Sequence, residues 1–435
     1  MLFDNPELRR HVWLDLTPHR LVMMPVLLGL VFLLTVAGES PNRNGLALVA
    51  LGAFVLISLF WGGSLASASI VNEMRDHTWD TQRMSALTPF ELTLGKVLGA
   101  NLFTWYGGLI CLVVYAFEAG SLSMTTPVWQ VLALAVGSAL FVHAFVTLLA
   151  LLLVRSRHST RSLGLLSVLM LLYLVGPLLL LEGRHQQVVW YGIEFTRLGF
   201  VLGSVWFFAL WAGVGAWRVM AQMLQVRTTP LFWLLFAVSL TGYLYGLLWG
   251  FPVRSVDVGQ LFWLVAFLVL LALSYLSVWA EPKDVVSIRR VQWAARQREW
   301  RRLFENLPLW VATGVPALLC VPVLALFPPG SLGPNEPVIP ALAALGLLLF
   351  AVRDLALIYL CSLGRTPGRA HATALFYLFL LYGLLPWLFD AADLELLLRL
   401  LLPPVLTQPL QGVALVAVQA AAMGGLLWLR WRRQR

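Results

Sequence analysis

Apolar residues gather in long blocks along the chain. Blocks of eighteen residues or more lie at 21–38, 46–70, 97–118, 129–154, 162–181, 196–217, 231–250, 261–280, 309–328, 338–361, 372–389 and 409–429. About 20 apolar residues in a helix cross the hydrocarbon of a bilayer. The pattern therefore predicts an all-α, polytopic transmembrane bundle of about twelve spans. Some twenty residues precede the first block and mix acids, a proline and aromatics with arginines. That is unlike the short basic lead of a signal peptide, so the block reads as a retained span.

Composition agrees. The chain of 435 residues is 60% hydrophobic and 12% charged, with mean hydropathy +0.82, against about 25% charged in a soluble domain. A soluble fold, disorder, a coiled coil and a disulfide scaffold are excluded on these values. Cys111, Cys320 and Cys361 stand in apolar runs at no metal-ligand spacing and read as small buried hydrophobes. The net charge of +9 needs no nucleic-acid partner once its distribution is followed. Threading twelve spans from a cytoplasmic N-terminus places 25 of the 30 Lys and Arg inside, leaving Arg43, Arg184, Arg197, Arg254 and Arg399. So uneven a split orients the chain with both termini in the cytoplasm. The outside loops are short. The longest, 390–408, carries Asp390, Asp393 and Glu395 before an apolar patch, Leu396 to Leu402, that ends at Pro403 and Pro404. The patch is too short to span and reads as an interfacial or re-entrant helix.

Two cytoplasmic segments, 71–96 and 281–308, are long enough to be structured. The polar run Glu281, Pro282, Lys283 and Asp284 marks the boundary between an N-terminal part, 1–280, with about eight spans and a C-terminal part, 281–435, with about four. Residues 288–307 read as one basic amphipathic helix on the inner leaflet. Trp293, Trp300, Leu303, Phe304 and Leu307 form its stripe, and Arg298, Arg301 and Arg302 populate the rest. Arg289 and Arg296 fall on the stripe side and must snorkel. The N-terminus has a similar build, with Asn5 as cap, Pro6 in the first turn and Leu8, Val12 and Leu16 recurring every four residues. A weak internal repeat pairs Ser85, Thr88 and Pro89 with Ser362, Thr366 and Pro367.

Within 71–96, Thr88, Pro89 and Glu91 form a capping box with proline at the first helical position, so a helix starts there and runs into the third span. The product is a helix, a tight turn and a helix: a short rigid elbow below the membrane. This segment resembles the export-type ABC-transporter permeases through Glu73, Thr78, Asp80, Leu87, Pro89, Gly95 and Lys96. Asn5, Pro6, Leu8 and Arg10 resemble the start of that family's N-terminal surface helix. The family usually has Gly before the Thr, where this chain has His77. The resemblance covers about 100 residues, and the common permease has about six spans, half the number here. It implies the membrane subunit of an ATP-driven export complex in a bacterial inner membrane, working by alternating access and bound to lipid on all sides. ATP and magnesium would sit on a separate ATP-binding subunit, in two copies, contacting Glu73, Thr78, Asp80, Leu87, Thr88, Pro89 and Glu91. A second permease unit, or a second copy of this chain, would complete the pathway. Gly95-Lys96 lacks both the upstream Gly and the following Ser or Thr of a phosphate-cradling loop, so no cofactor is expected on this chain. The alternative is an anchor or assembly subunit that holds a cytoplasmic ATPase without passing a solute.

Other chemistry is sparse. The seven histidines have no partner at a helical metal spacing, and only His143, one turn from Thr147, lies well inside a span. It reads as a hydrogen-bonded bundle residue. Carboxylates at mid-membrane depth are nearly lacking, which weighs against an intramembrane enzyme or a proton-coupled carrier. Arg353 and Asp354 are either a buried pair or the start of a cytoplasmic turn, and an equivalent of the 71–96 elbow in the second part favours the turn. Gly62, Gly63, Ala66 and Ser67, with Gly95 and Gly99, supply small faces for close helix approach.

Overall fold

The computed structural model describes residues 5–38, 45–121, 127–155, 187–249, 257–281, 283, 285–327, 330–333, 336–364, 370–403 and 408–433. The helices are α1 Pro6–Asp15, α2 Pro18–Gly38, α3 Gly45–Phe54, α4 Gly62–Arg75, α5 Trp79–Arg83, α6 Pro89–Leu98, α7 Leu102–Ser121, α8 Val128–Arg155, α9 Arg197–Met223, α10 Leu231–Leu248, α11 Val258–Ala280, α12 Val285–Arg296, α13 Trp300–Asn306, α14 Leu309–Leu324, α15 Pro340–Ser362, α16 Ala370–Phe379, α17 Leu385–Ala391, α18 Glu395–Leu401 and α19 Pro409–Arg432. Wide π-type turns join α3 to α4 and α16 to α17, and a tight 3-10 turn at Gly99–Asn101 joins α6 to α7. Two small two-stranded sheets complete the described secondary structure.

Among the described residues, ten helices are long and apolar enough to cross a membrane: Pro18–Gly38, Gly45–Arg75, Pro89–Gly120, Val128–Arg155, Arg197–Met223, Leu231–Leu248, Val258–Ala280, Pro340–Ser362, Ala370–Ala391 and Pro409–Arg432. The chain is an all-α multi-pass bundle. Helices are the natural solution because they satisfy their own backbone polar groups where water is excluded. The block at 309–328 yields only the 16 residues of α14, set at 104° to α13. The span expected at 162–181 lies outside the described residues, as do Thr366 and Pro367 of the expected repeat.

Contacts divide the chain into two compact units, Met1–Val189 with Ile193–Thr228, and Trp190–Gly192 with Thr229–Arg435. In the first unit, α9 lies along α8, where the Trp206 indole N–H donates to the Ala133 carbonyl at 3.1 Å. Ile70, Leu92, Val142 and Leu151 are fully enclosed in its core. In the second unit, α11 lies along α14, and the buried hydroxyls of Ser274 and Thr313 meet at 2.8 Å. The Glu281 carboxylate accepts the Leu309 N–H at 2.9 Å and caps α14. The polar break at 281–284 thus falls inside the second unit, since the helices on either side of it pack together.

One local device recurs. His77, Gln225, Arg298 and Asp393 all have φ between +53° and +58°. Each ends a helix in the same way, with the next residue's N–H reaching back five positions: Thr78 to Glu73, Val226 to Ala221, Glu299 to Ala294 and Leu394 to Phe389. This is the Schellman closure, in which the left-handed residue is usually glycine. At Arg298 it corrects the sequence reading. Residues 288–307 are not one helix but α12 and α13, broken at a position with no glycine or proline to announce it. The patch at 396–402 forms the short α18, whose Arg399 pairs with Glu395 on its own surface at 3.1 Å.

A residue with a Cβ pays about 1–2 kcal/mol to hold the left-handed region. Gln225→Gly should therefore raise stability by about 1 kcal/mol, and Gln225→Val should lower it by more. Thermal unfolding of the detergent-solubilised protein reads both signs, and a destabilising glycine would contradict the assignment.

Candidate functional site

The Lys96 side chain is wholly buried at the end of α6, and a buried ammonium is tolerated only with compensating charge. Two carboxylates supply it. Glu7 Oε1 of α1 lies 2.9 Å from Lys96 Nζ, and Glu73 Oε1, near the end of α4, also accepts from it. Arg10 Nη2 bridges the same two oxygens, at 2.8 Å from Glu7 and 2.9 Å from Glu73. Gln82, at the end of α5, donates to Glu73 Oε1 at 2.7 Å. One cationic node therefore ties the N-terminal helix, both arms of the elbow and the start of the third apolar helix. Burial pushes the Glu7 carboxyl up. The His11 hydrogen bond and the Lys96 and Arg10 charges pull it down by more, so its pKa falls from about 4.5 to about 2.

Backbone approach makes this geometry possible. A Cβ at Gly95 would stand 2.4 Å from Glu7 Cγ, so only glycine lets α1 lie against α6 at this point. One turn on, Gly99 faces the His11 ring. Asn5 fastens the other end of α1. Its Oδ1 accepts the Glu7 and Leu8 N–H groups at 3.0 and 3.4 Å, while its Nδ2 donates to the Glu91 carbonyl at 2.8 Å. The expected N-terminal helix is present, but its packed face is polar. Asn5, Glu7 and His11 are buried, whereas Val12, Trp13 and Leu14 of the apolar side are exposed.

The elbow has an anchored interior and an open tip. Trp79 is buried, and the capping box at Thr88 and Glu91 forms as read, with Glu91 Oε2 accepting the Thr88 N–H at 2.8 Å and the Glu91 N–H reaching Thr88 Oγ1 at 3.3 Å. The Thr78 hydroxyl donates to the Glu73 carbonyl at 3.2 Å. Leu87 and Pro89 are half-buried, and Asp80, Arg83, Thr88 and Phe90 are exposed. Met84 is 82% exposed. Of the residues expected at a partner contact, Thr78, Asp80 and Thr88 are exposed. Glu73 instead spends its carboxylate inside the chain and acts by positioning. Glu7 was missed by sequence reasoning. The signal was a lysine next to an apolar run whose one nearby acid, Glu91, belongs to the capping box.

The second unit holds another buried charge. Arg353 and Asp354 are 4% and 1% exposed near the middle of α15, so they are a buried pair and not the start of a turn. The Arg353 guanidinium donates to Asp354 Oδ1 at 3.0 Å, Tyr382 Oη at 2.7 Å and Gln419 Oε1 at 2.6 Å. Tyr275 and Tyr382 hydroxyls donate to Asp354 Oδ2 at 2.8 and 2.6 Å. The last carbonyls of α18 close the set, Leu401 accepting from Arg353 at 3.4 Å and Leu400 from Gln419. Arg353 accordingly leaves the count of cytoplasmic positive charges. In the first unit, His143 Nε2 donates to the Ser58 carbonyl at 2.8 Å, in the π-type turn before α4, and Thr147 is not its partner. No group of three or more His, Cys, Asp or Glu among the described residues is placed to hold a metal.

Trp293, Trp300 and Phe304 are exposed and Leu303 and Leu307 half-buried, in two helices and not one. Chemically, the Lys96 node bonds no group that would react. It ties the elbow to the start of the third apolar helix.

Because the lowered Glu7 pKa favours the native state only while the carboxyl is ionised, the attachment of α1 should be fully present above about pH 4.5 and lost as pH falls toward 2. Lys96→Met should release it at neutral pH, leaving two carboxylates without their buried partner at a cost of about 3–5 kcal/mol. Hydrogen exchange of the Pro6–Asp15 amides measures both, and protection that persists in Lys96→Met would contradict the lock.

Compared with protein-family models, curated proteins and solved structures, the chain matches none.

Proposed function

We propose that this protein is the membrane subunit of an ATP-driven ABC export complex, with ATP bound and hydrolysed on a separate subunit that docks under the elbow at residues 75–90. The observation that carries the reading is the Lys96 node. It joins α1, α4, α5 and α6 into a rigid knob whose exposed tip combines the apolar Met84 and Phe90 with Asp80 and Arg83. Exposed apolar side chains within a polar rim suit a protein contact. A push on that tip moves the third apolar helix directly, because Lys96 and Gly95 belong to α6. In this reading Glu73 holds the knob in shape, and Asp80, Met84, Thr88 and Phe90 meet the partner.

In this reading both termini and the elbow lie in the cytoplasm of a bacterial-type inner membrane, an orientation that the uneven distribution of Lys and Arg supports. Two copies of the ATP-binding subunit and a second permease unit, or a second copy of this chain, complete the assembly.

Met84→Asp with Phe90→Asp should reduce co-purification of the ATP-binding subunit by tenfold or more, since each places a charge in an apolar contact. Glu73→Gln should leave binding largely intact and reduce substrate-stimulated ATP hydrolysis. An ATPase that binds and hydrolyses normally with both variants would overturn the docking assignment. A complex that forms but moves no solute after reconstitution would favour the anchor reading. For orientation, reporter fusions at Gly120 and Pro334 should face outside and a fusion after Arg435 inside, and an outside C-terminal reporter would contradict the topology.

A further inference from the structure

We propose that the turn between α12 and α13 is a binding site for the phosphate headgroups of anionic phospholipids. Three observations converge on it. First, α13 meets α14 at 104°, so it lies across the direction of the apolar helix that follows it. A short helix set crosswise at the mouth of an apolar helix occupies the plane of the membrane surface. Second, Trp293 and Trp300 are 50% and 71% exposed, one on each side of the break, and Phe304 is exposed beside them. Indole rings belong at the headgroup level, where an apolar body and an N–H donor are both satisfied.

Third, residues 285–306 carry six arginines against two glutamates. The glutamates are already engaged, Glu305 with Arg301 at 3.2 Å and Glu299 with Arg302 at 2.8 Å. Arg302 also stands over the Trp293 ring at 5.8 Å. Arg290, Arg296 and Arg298 are exposed with no side-chain partner among the described residues; Arg296 ends α12 and Arg298 is itself the left-handed residue of the turn. Guanidinium groups without acids of their own, next to interfacial tryptophans, present the planar donor geometry that phosphate oxygens accept. An acidic soluble protein would meet the same charges, but it would leave the two indoles no apolar phase. The anionic lipid surface satisfies both.

The break at Arg298 has a consequence for this site. In one continuous helix, Arg296 shares the side of the tryptophans and must bend back toward water. Ending α12 at Arg296 places it at the turn, beside Arg298, where a headgroup can be approached by both.

The test uses the full chain in nanodiscs of phosphatidylcholine containing a quarter phosphatidylglycerol. Cys111, Cys320 and Cys361 are replaced by alanine, and a bimane is attached at Trp300→Cys. Nitroxide-labelled phosphatidylglycerol should quench the bimane more strongly than nitroxide-labelled phosphatidylcholine at equal mole fraction. Each arginine of the set contributes about fivefold to that preference. The variant Arg290→Gln with Arg296→Gln and Arg298→Gln should abolish the preference while quenching by both lipids persists, because the apolar contact of Trp293 and Phe304 remains. Equal quenching by the two labelled lipids in the parent protein would overturn the proposal without recourse to any arginine variant. So would quenching only by a water-soluble nitroxide, or shielding from every quencher by a protein partner.

Discussion

The first unit depends on how one ammonium group is kept out of water. Lys96 is enclosed where an apolar helix begins, and its charge is matched by Glu7 and Glu73, which stand on different helices, α1 and α4. Removing either acid would leave a buried cation half-compensated, so the position of α1 and the shape of the elbow are set together. Gly95 is the steric complement of this electrostatic demand. Without its missing Cβ, Glu7 could not reach the lysine. The exposed tip at Met84 is placed by contacts that lie entirely behind it.

The second unit applies the same rule with a different cation. Arg353 has five N–H donors in a fixed fork, and four of its hydrogen bonds reach Asp354, Tyr382, Gln419 and the end of α18. Lysine could not replace it, because its three donors are not spread in a plane. The carbonyls at the end of α18 lack partners in their own helix, and the guanidinium and Gln419 provide them. This is how a helix too short to span can end among apolar helices, where unsatisfied carbonyls cost several kcal/mol each. In both units a single buried cation thus permits irregular backbone beside apolar helices.

What could be read from the sequence follows from the range of each interaction. Ten of the apolar blocks, the capping box at Thr88 to Glu91 and the Asn5 cap are local features, and the described residues show them where they were expected, whereas the block at 309–328 gives only the short α14. The Arg298 break is local too, yet it was not legible, because the left-handed residue is an arginine and the closure is carried by backbone N–H groups of Arg298 and Glu299. The Lys96 and Arg353 networks join residues as far apart as Glu7 and Lys96, or Tyr275 and Asp354, and periodicity carries no information on such pairs. A charge standing in or beside an apolar block was the available sign. At Arg353 and Asp354 it was outweighed by a presumed likeness to the first elbow, when adjacency of opposite charges in a long apolar block already pointed to a buried pair.

His77 brings these strands together. The resemblance that runs through residues 71–96 has glycine at this position, and here φ is +55°, the conformation glycine adopts most readily. The histidine therefore holds the turn against a local cost of about 1–2 kcal/mol. That cost is offset by bonds made on both sides of it: Glu73 to Lys96, Arg10 and Gln82, and the Thr78 N–H and hydroxyl to the Glu73 carbonyl. An elbow with glycine at the turn would keep its bend by local preference alone. With histidine there, the bend depends on the ionic node, so whatever loosens the Lys96 contacts also releases the turn that carries the tip. The shape of the exposed tip is in this way linked to the start of the third apolar helix through the side chains of three residues, Glu7, Glu73 and Lys96.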